Sequence, residues 1–460
     1  MDLISRLERQ AARAGLVLML TSALLVSALL VSAPVFAQTP VPVSAAVPVE
    51  TAVAVEFEQL TAHAQVRAAL ETLANSEPET IAEQIRLTEI PAPPFLEQQR
   101  AEYYLQQMQR RGLPEAYIDA EGNVIGLHHG TGEGPLLAIA AHLDTVFPLE
   151  TDLTVEQRDG RYYAPGISDD GRGLTVLLTL IDTLKNSAIA TTGDILFIAN
   201  VGEEGLGDLR GIKAIFRDFP QIDGFVSIDG SGLSSFTTGA TGSRRFEVVF
   251  TGPGGHSFSA FGLVSAIHAM GRAIANIGEL ETPAEPKTTF TVGTVSGGTS
   301  VNSIAAHAAF GIDMRSNDAG ELARLEERVR EAVQAGVAAE NDRWDNNGEI
   351  TAEFRLIGDR PSGRTATDSP IVQVAALAMA AAGGELQGVR LSSTDSNIPM
   401  ALGIPAITIT GGGESGGEHS PEEWFDPRDS ERGPQMALLL VLGLVGVDGT
   451  SAPLLQRRAR

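Results

Sequence analysis

Three apolar runs of strand length, PLLAIAAHLDTV (135–146), DILFIANVGEEG (194–205) and GFVSIDGS (224–231), each break off into acids or histidine. Such runs are too apolar to leave one face in water, so a sheet built from them is covered on both sides. Between the first two lies LTVLLTLIDTLKNS (174–187), helical by its period. Strands alternating with helices predict a mixed, largely parallel sheet flanked by helices. In such open α/β sheets, ligands gather beyond the carboxyl ends of the strands. That is where His142, Glu203, Glu204 and Asp229 fall.

Residues 58–113 have a helical pattern that leads into this region. The pattern changes near 241. RRFEVVFTG (244–252) alternates, GLVSAIHAMGRAIANIGEL (262–280) is helical, and TTFTVGTVSGG (288–298) and AAHAAFGIDMRS (305–316) read as half-buried strands. AGELARLEERVREAVQAGVAAE (319–340) is an amphipathic helix. The α/β pattern then returns with IVQVAALAMAAAG (371–383), PAITITGG (405–412) and a buried terminal helix in MALLLVLGLVGV (436–447). The expected fold class is therefore α/β: a catalytic domain from 58–240 and 358–450, with an inserted α+β, ferredoxin-like domain at 241–357 and a basic tail at 451–460. A chain of 460 residues accommodates this at roughly 150 residues per domain.

Residues 1–37 read as an export signal: Arg6, Arg9 and Arg13, an apolar run from Gly15 to Val31, then the small-residue end Val35-Phe36-Ala37. The expected location is periplasmic or secreted, with an uncleaved membrane anchor as the alternative. Residues 38–57, rich in Pro, Val and Ala, read as a tether. A net charge of −25 excludes a nucleic-acid binder, and nothing beyond the signal addresses a membrane. There is no cysteine, which excludes disulfides, thiolate metal sites and cysteine nucleophiles. Any metal must be held by His, Asp and Glu.

Those residues recur at segment tips: AHLDTV with His142 and Asp144, GISDDG with Asp169 and Asp170, VGEEG with Glu203 and Glu204, SIDG with Asp229, and GEHSPEE with His419. Singly, each has an ordinary reading as a turn or a structural histidine. Together they form a donor set for two divalent ions in a chain with eight histidines. Two ions sharing a water need two imidazoles, a bridging carboxylate and further carboxylates, plus a carboxylate left free to carry the proton. Glu203 and Glu204 can divide base and ligand between them. Asp144, two residues after His142, is placed to hold the second imidazole nitrogen.

These motifs, with GGHS, GGTSVN and DMRS in the insert, resemble the co-catalytic di-zinc peptidase and deacylase family that includes peptidase T, carboxypeptidase G, acetylornithine deacetylase and aminoacylase. The resemblance runs from about 80 to 447. It implies two divalent ions, Zn2+ foremost, with Co2+ or Mn2+ as alternatives. It implies His142, Asp169, Glu204, Asp229 and His419 as ligands, Asp169 as the bridge, Glu203 as general base and Asp144 as the residue orienting His142. It also implies dimerisation through the insert, with His256 reaching the partner's site to hold the oxyanion and Asn302 and Arg315 holding the substrate. Many relatives have Lys after the paired Asp, where this chain has Gly171 and Arg172. TDSN (394–397) and GGG (411–413) also recur in relatives near the substrate.

Asp at position 229 resembles family members that act on free α-amino groups; deacylases and carboxypeptidases carry Glu there. The expected activity is that of a peptidase T-like aminopeptidase or dipeptidase acting on short peptides. The alternatives are an N-acyl amino acid deacylase or carboxypeptidase and, in another class, a non-catalytic binding homologue. His268 and His307 read as packing residues, and His128 and His129 have no assignment. Asp169→Ala is expected to abolish metal-dependent hydrolysis, while His268→Ala leaves it largely intact. Full activity of Asp169→Ala in a peptide-hydrolysis assay removes the bridge from this scheme.

Overall fold

The computed structural model describes residues 47–132 and 134–459. The signal, and the tether as far as 46, lie outside the described residues. Among the described residues, four helices come first: Thr51–Ala62, Ala64–Asn75, Glu77–Thr88 and Gln98–Arg111. The first corrects the tether boundary. Val53, Phe57 and Leu60 are buried one helical turn apart, so residues 51–57 belong to the core. A single apolar edge gives too little periodicity to separate such a helix from a Val/Ala-rich linker.

The central sheet is as the apolar runs predict. Asp194–Asn200, Leu136–His142, Gly224–Ile228 and Ala406–Ile409 lie side by side and parallel. Antiparallel neighbours flank them, Val124–His128 on one side and Ser235–Ala240 on the other. Alternate side chains serve opposite faces. Leu137, Ile139 and Phe197 pack with the helices Gly171–Ser187, Pro370–Ala381 and Arg432–Val445, while Ala138, Ala140 and Ile198 pack with Arg210–Asp218 and Asn397–Ala401. No described helix is long and apolar enough to cross a membrane. The last residues are more than a basic tail: Leu455 is buried in the main core, and the Arg458 backbone N–H donates to Asp223 at 2.8 Å.

A second sheet contains Thr288–Gly297, His307–Ser316, Gly242–Thr251 and Thr351–Arg360, in that order and all antiparallel. Helices Ala266–Gly278 and Ala319–Arg343 cover it over their own core. This is the β-α-β-β-α-β order of a ferredoxin-like unit. Its last strand runs to Arg360, beyond the expected limit of 357, because a bulge between Leu356 and Gly358 absorbs a residue and pairing resumes. The two connections to the main sheet are neighbours, since Gly363 on the return pairs with Ala240 on the exit.

A third, smaller sheet joins Glu156–Arg158 and Arg161–Tyr163 to Trp424–Asp426 and Glu414–Gly416. It carries the His419 loop to the segment that leads into Asp169. Phe57→Ala is expected to cost about 3–5 kcal/mol in a denaturant titration. No measurable loss would return this segment to the tether.

Candidate metal centre

The tips of three adjacent parallel strands supply the first donors. His142 ends one strand and pairs in register with Asn200 at the end of the next, three residues before Glu203. Asp229 follows directly on the third. Asp170 caps the helix that starts at Gly171: its Oδ1 accepts the Gly173 N–H at 3.1 Å, and its Oδ2 accepts the His142 backbone N–H at 3.0 Å. The peptide between Asp169 and Asp170 is cis.

Asp169 sits between two imidazoles. Its Oδ1 is 3.0 Å from His142 Nε2 and its Oδ2 is 3.1 Å from His419 Nε2. His419 Nε2 is also 2.9 Å from Glu204 Oε1. Ligand-capable atoms come within 4.8 Å of one another in three groups: His142 with Glu203 and Glu204, His142 with Asp170 and Asp229, and Asp169 with Glu204 and His419. The six residues expected as ligands and base, His142, Asp169, Glu203, Glu204, Asp229 and His419, are thus brought together across sequence separations of up to 277 residues, from His142 to His419.

Asp144 differs from expectation. His142 Nδ1 is 3.0 Å from the Asp144 backbone oxygen, while the carboxylate lies 3.8 Å away. The carboxylate instead accepts the backbone N–H of Glu203 at 3.0 Å and of Glu204 at 2.7 Å. It holds the loop that presents both glutamates. The chain turns at the strand end, so the carbonyl reaches the ring and the side chain points to the neighbouring loop.

The electrostatics are those of a site short of positive charge. Burial raises Glu203 and Asp170 well above the usual carboxylate range, with Arg360 the main opposing influence on Glu203. Burial and the Asp169 charge push Asp229 up to about 7, and burial takes Asp395 to about 6. Hydrogen bonds to Asp169 and Glu204 raise His419 to about 11. Burial disfavours a charged His142, but Asp169, Asp170 and Asp144 override it and hold the imidazole well above its ordinary value. Four buried polar atoms without an aligned partner, Asp169 Oδ1, Asn200 Oδ1, Arg360 Nε and Asp395 Oδ1, also belong to this neighbourhood. Imidazoles and carboxylates, with an Asp169 oxygen that lacks a well-aligned donor, fit a pair of divalent cations.

Two supporting residues escaped the sequence reading. Glu423 is fully buried and accepts three backbone N–H groups, from Gly166 at 2.9 Å, Ser168 at 2.8 Å and Asp169 at 3.0 Å, so it shapes the turn that aims Asp169. Its position in GEHSPEE, four residues after His419, was the available signal. Arg360 bonds Glu203 through its side chain and its backbone oxygen. Nothing in local sequence marks it except its place at the return connection.

The insert residues stand apart from this cluster. His256 and Asn302 are exposed neighbours on a short ribbon in which Gly255–His256 pairs with Ser303–Ile304. Arg315 donates to Asp313 at 2.7 Å. No described hydrogen bond or ion pair joins the three to the cluster. His268 and His307, expected to be packed, are exposed. A cavity of about 680 Å³ lies elsewhere, between the Ala64–Asn75 and Glu77–Thr88 helices and Gly171–Ser187, and its Arg111 is already paired with Glu83 and Asp182.

A sequence profile described as peptidase family M20/M25/M40 matches residues 138–442. Among curated proteins, a Pyrococcus abyssi protein named as a candidate LysW-lysine/LysW-ornithine hydrolase is 30% identical over 166 residues, 35% of this chain and 43% of its own length. Carboxypeptidase G2 of Pseudomonas sp. strain RS-16 is 27% identical over 142 residues, 30% of this chain and 34% of its own. The chain thus spans less than half the length of these curated relatives. Aminopeptidase PepT of Bacillus cereus superposes with a TM-score of 0.64 at 21% identity, over 79% of this chain and 98% of that one. The YXEP protein of Bacillus subtilis, described as a dinuclear metal-binding peptidase, does so at 0.60 and 16%, over 81% and 99%.

Imidazoles must be neutral to bind a metal, and the surrounding carboxylates raise the pKa of both in the metal-free site. Metal binding is therefore expected to release protons and to tighten as pH rises. Calorimetry in buffers of different ionisation enthalpy measures this; no release would exclude the two imidazoles as ligands.

Proposed function

Because this chain belongs to peptidase family M20/M25/M40, we propose that it is an exported two-metal aminopeptidase acting on short peptides. The observation that carries the metal reading is Asp169, whose two oxygens face two different imidazoles. His142, Asp169 and Asp229 would hold one ion, and Asp169, Glu204 and His419 the other. When bound, such ions, Zn2+ foremost, supply Lewis acidity to the scissile carbonyl and make water nucleophilic near neutral pH.

The remaining work belongs to the protein. Glu203 takes the proton from the attacking water and returns it to the leaving amine. Burial raises its pKa, which suits a carrier that must both accept and release a proton near neutrality. Asp144 fixes the backbone of Glu203 and Glu204, and Asp170 and Glu423 fix His142 and Asp169. The shorter acid at Asp229 leaves room for a substrate α-amino group, which favours aminopeptidase action over deacylation. The local likeness to carboxypeptidase G2 favours the second reading, action on an N-acyl amino acid or at a free carboxyl end.

A homodimer through the insert accompanies this proposal. Thr288–Gly297 is an edge strand with exposed Val295, and Phe258, Phe261 and Val301 are exposed on the same domain. Such a dimer would offer His256 to the partner's site for the oxyanion, with Asn302 and Arg315 toward substrate. Export rests on residues 1–37, whose removal gives a mature chain starting at Gln38.

One tripeptide, offered to the zinc-loaded mature chain with a free and with an acetylated N-terminus, tests the reading by product mass. Release of the first residue from the free form alone is expected. Glu203→Gln should lower kcat by roughly 10²-fold or more. Preference for the acetylated form would move the assignment to a deacylase or carboxypeptidase.

A further inference from the structure

Three residues at the root of the inserted domain make polar contacts with the loop that carries Glu203 and Glu204. The Arg245 guanidinium donates to the Gly205 carbonyl at 2.5 Å. The Asp359 backbone N–H donates to Asp208 Oδ1 at 2.8 Å. Arg360 donates through Nη1 to Glu203 Oε1 at 3.1 Å, through Nη2 to the Glu203 backbone oxygen, and through Nη1 again to Ser393 Oγ at 3.2 Å. All three contacts from the insert fall within residues 203–208. Arg360 is itself the last residue of the insert's last strand, paired in register with Ser243.

We propose that Arg360 is a positioning residue that aims the Glu203 carboxylate and ties that aim to the orientation of the inserted domain. This role rests on Glu203 being the proton carrier proposed above. A glutamate side chain has three rotatable torsions, and its carboxylate must present one lone pair to the water. Arg360 fixes one carboxylate oxygen and the backbone oxygen of the same residue with two arms of one planar fork, which removes that freedom. At 4% exposure the fork has little water to exchange with. Because Arg360 belongs to a strand of the insert, rotation of the insert about its paired connections moves the fork, and the fork moves the base. The ion pair leaves Glu203 Oε2 free for proton transfer, so holding the residue does not consume its function. Arg360 touches the base rather than the reacting atoms.

The test uses full-length mature enzyme, zinc-loaded, and whichever tripeptide form is hydrolysed. Arg360→Ala is expected to lower kcat by roughly 10²-fold with KM within about twofold and zinc affinity unchanged. Peptide-level hydrogen exchange across 201–209 should rise in the same variant. Arg360→Lys keeps the charge and loses the fork, and should recover kcat in part. If Arg360→Ala does not fold, Arg360→Lys alone decides: reduced kcat at constant KM supports the proposal, and full kcat overturns it. A parallel loss of zinc affinity and kcat in Arg360→Ala would make the residue merely structural and overturn it too. Full kcat in Arg360→Ala beside an inactive Glu203→Gln would sink the positioning role and leave the base assignment standing. An active Glu203→Gln would remove the base assignment, and this inference with it.

Discussion

The site depends on keeping carboxylates together that repel one another. Asp169, Asp170, Glu204, Glu203 and Asp229 converge on His142 in a largely buried cluster, where little water weakens the repulsion. The fold answers with backbone dipoles. Asp144 takes two N–H groups, Asp170 takes two, and Glu423 takes three. Each of these acids is satisfied by main chain that the sheet and its helices already hold rigid. What they leave exposed toward the centre is the excess of negative charge that two cations would neutralise. The centre is thus a property of strand ends and turns, and the side chains are its last layer.

The parallel sheet and the ligand-bearing tips were legible because both rest on local pattern. A continuous apolar run needs cover on two faces whatever surrounds it, and an acid at its end must leave the sheet. Asp144 marks the limit of such reasoning. Proximity in sequence put its carboxylate beside His142, whereas the turn gave that place to its carbonyl. The small sheet that carries His419 was not legible at all. Its strands are three residues long, too short for a period, and Trp424 pairs with Tyr163 from a remote part of the chain. Arg360 and Glu423 have the same character: each acts through a partner that only tertiary structure supplies. The first helix was lost to composition, since Val and Ala serve a linker and a buried edge equally well.

The two domains divide the chemistry. Residues from the main domain form the charged cluster, while His256, Asn302 and Arg315 lie on the insert with no described hydrogen bond or ion pair to it. The root of the insert nevertheless grips the Glu203–Asp208 loop. The insert and the Glu203–Asp208 loop are therefore mechanically joined at the base of the insert, even though their domains have separate cores.

The topology also sets an order of assembly. Ala406–Ile409 inserts between Gly224–Ile228 and Ser235–Ala240, so the central sheet cannot close until residues 406–409 arrive. His419 arrives later still, on strands that dock against Arg161–Tyr163. A nascent chain that has already made His142, Asp169, Glu203 and Glu204 holds an incomplete centre and an open sheet. Its hydrolytic capacity is withheld by chain order until the Trp424–Asp426 strand and the loop before it are made.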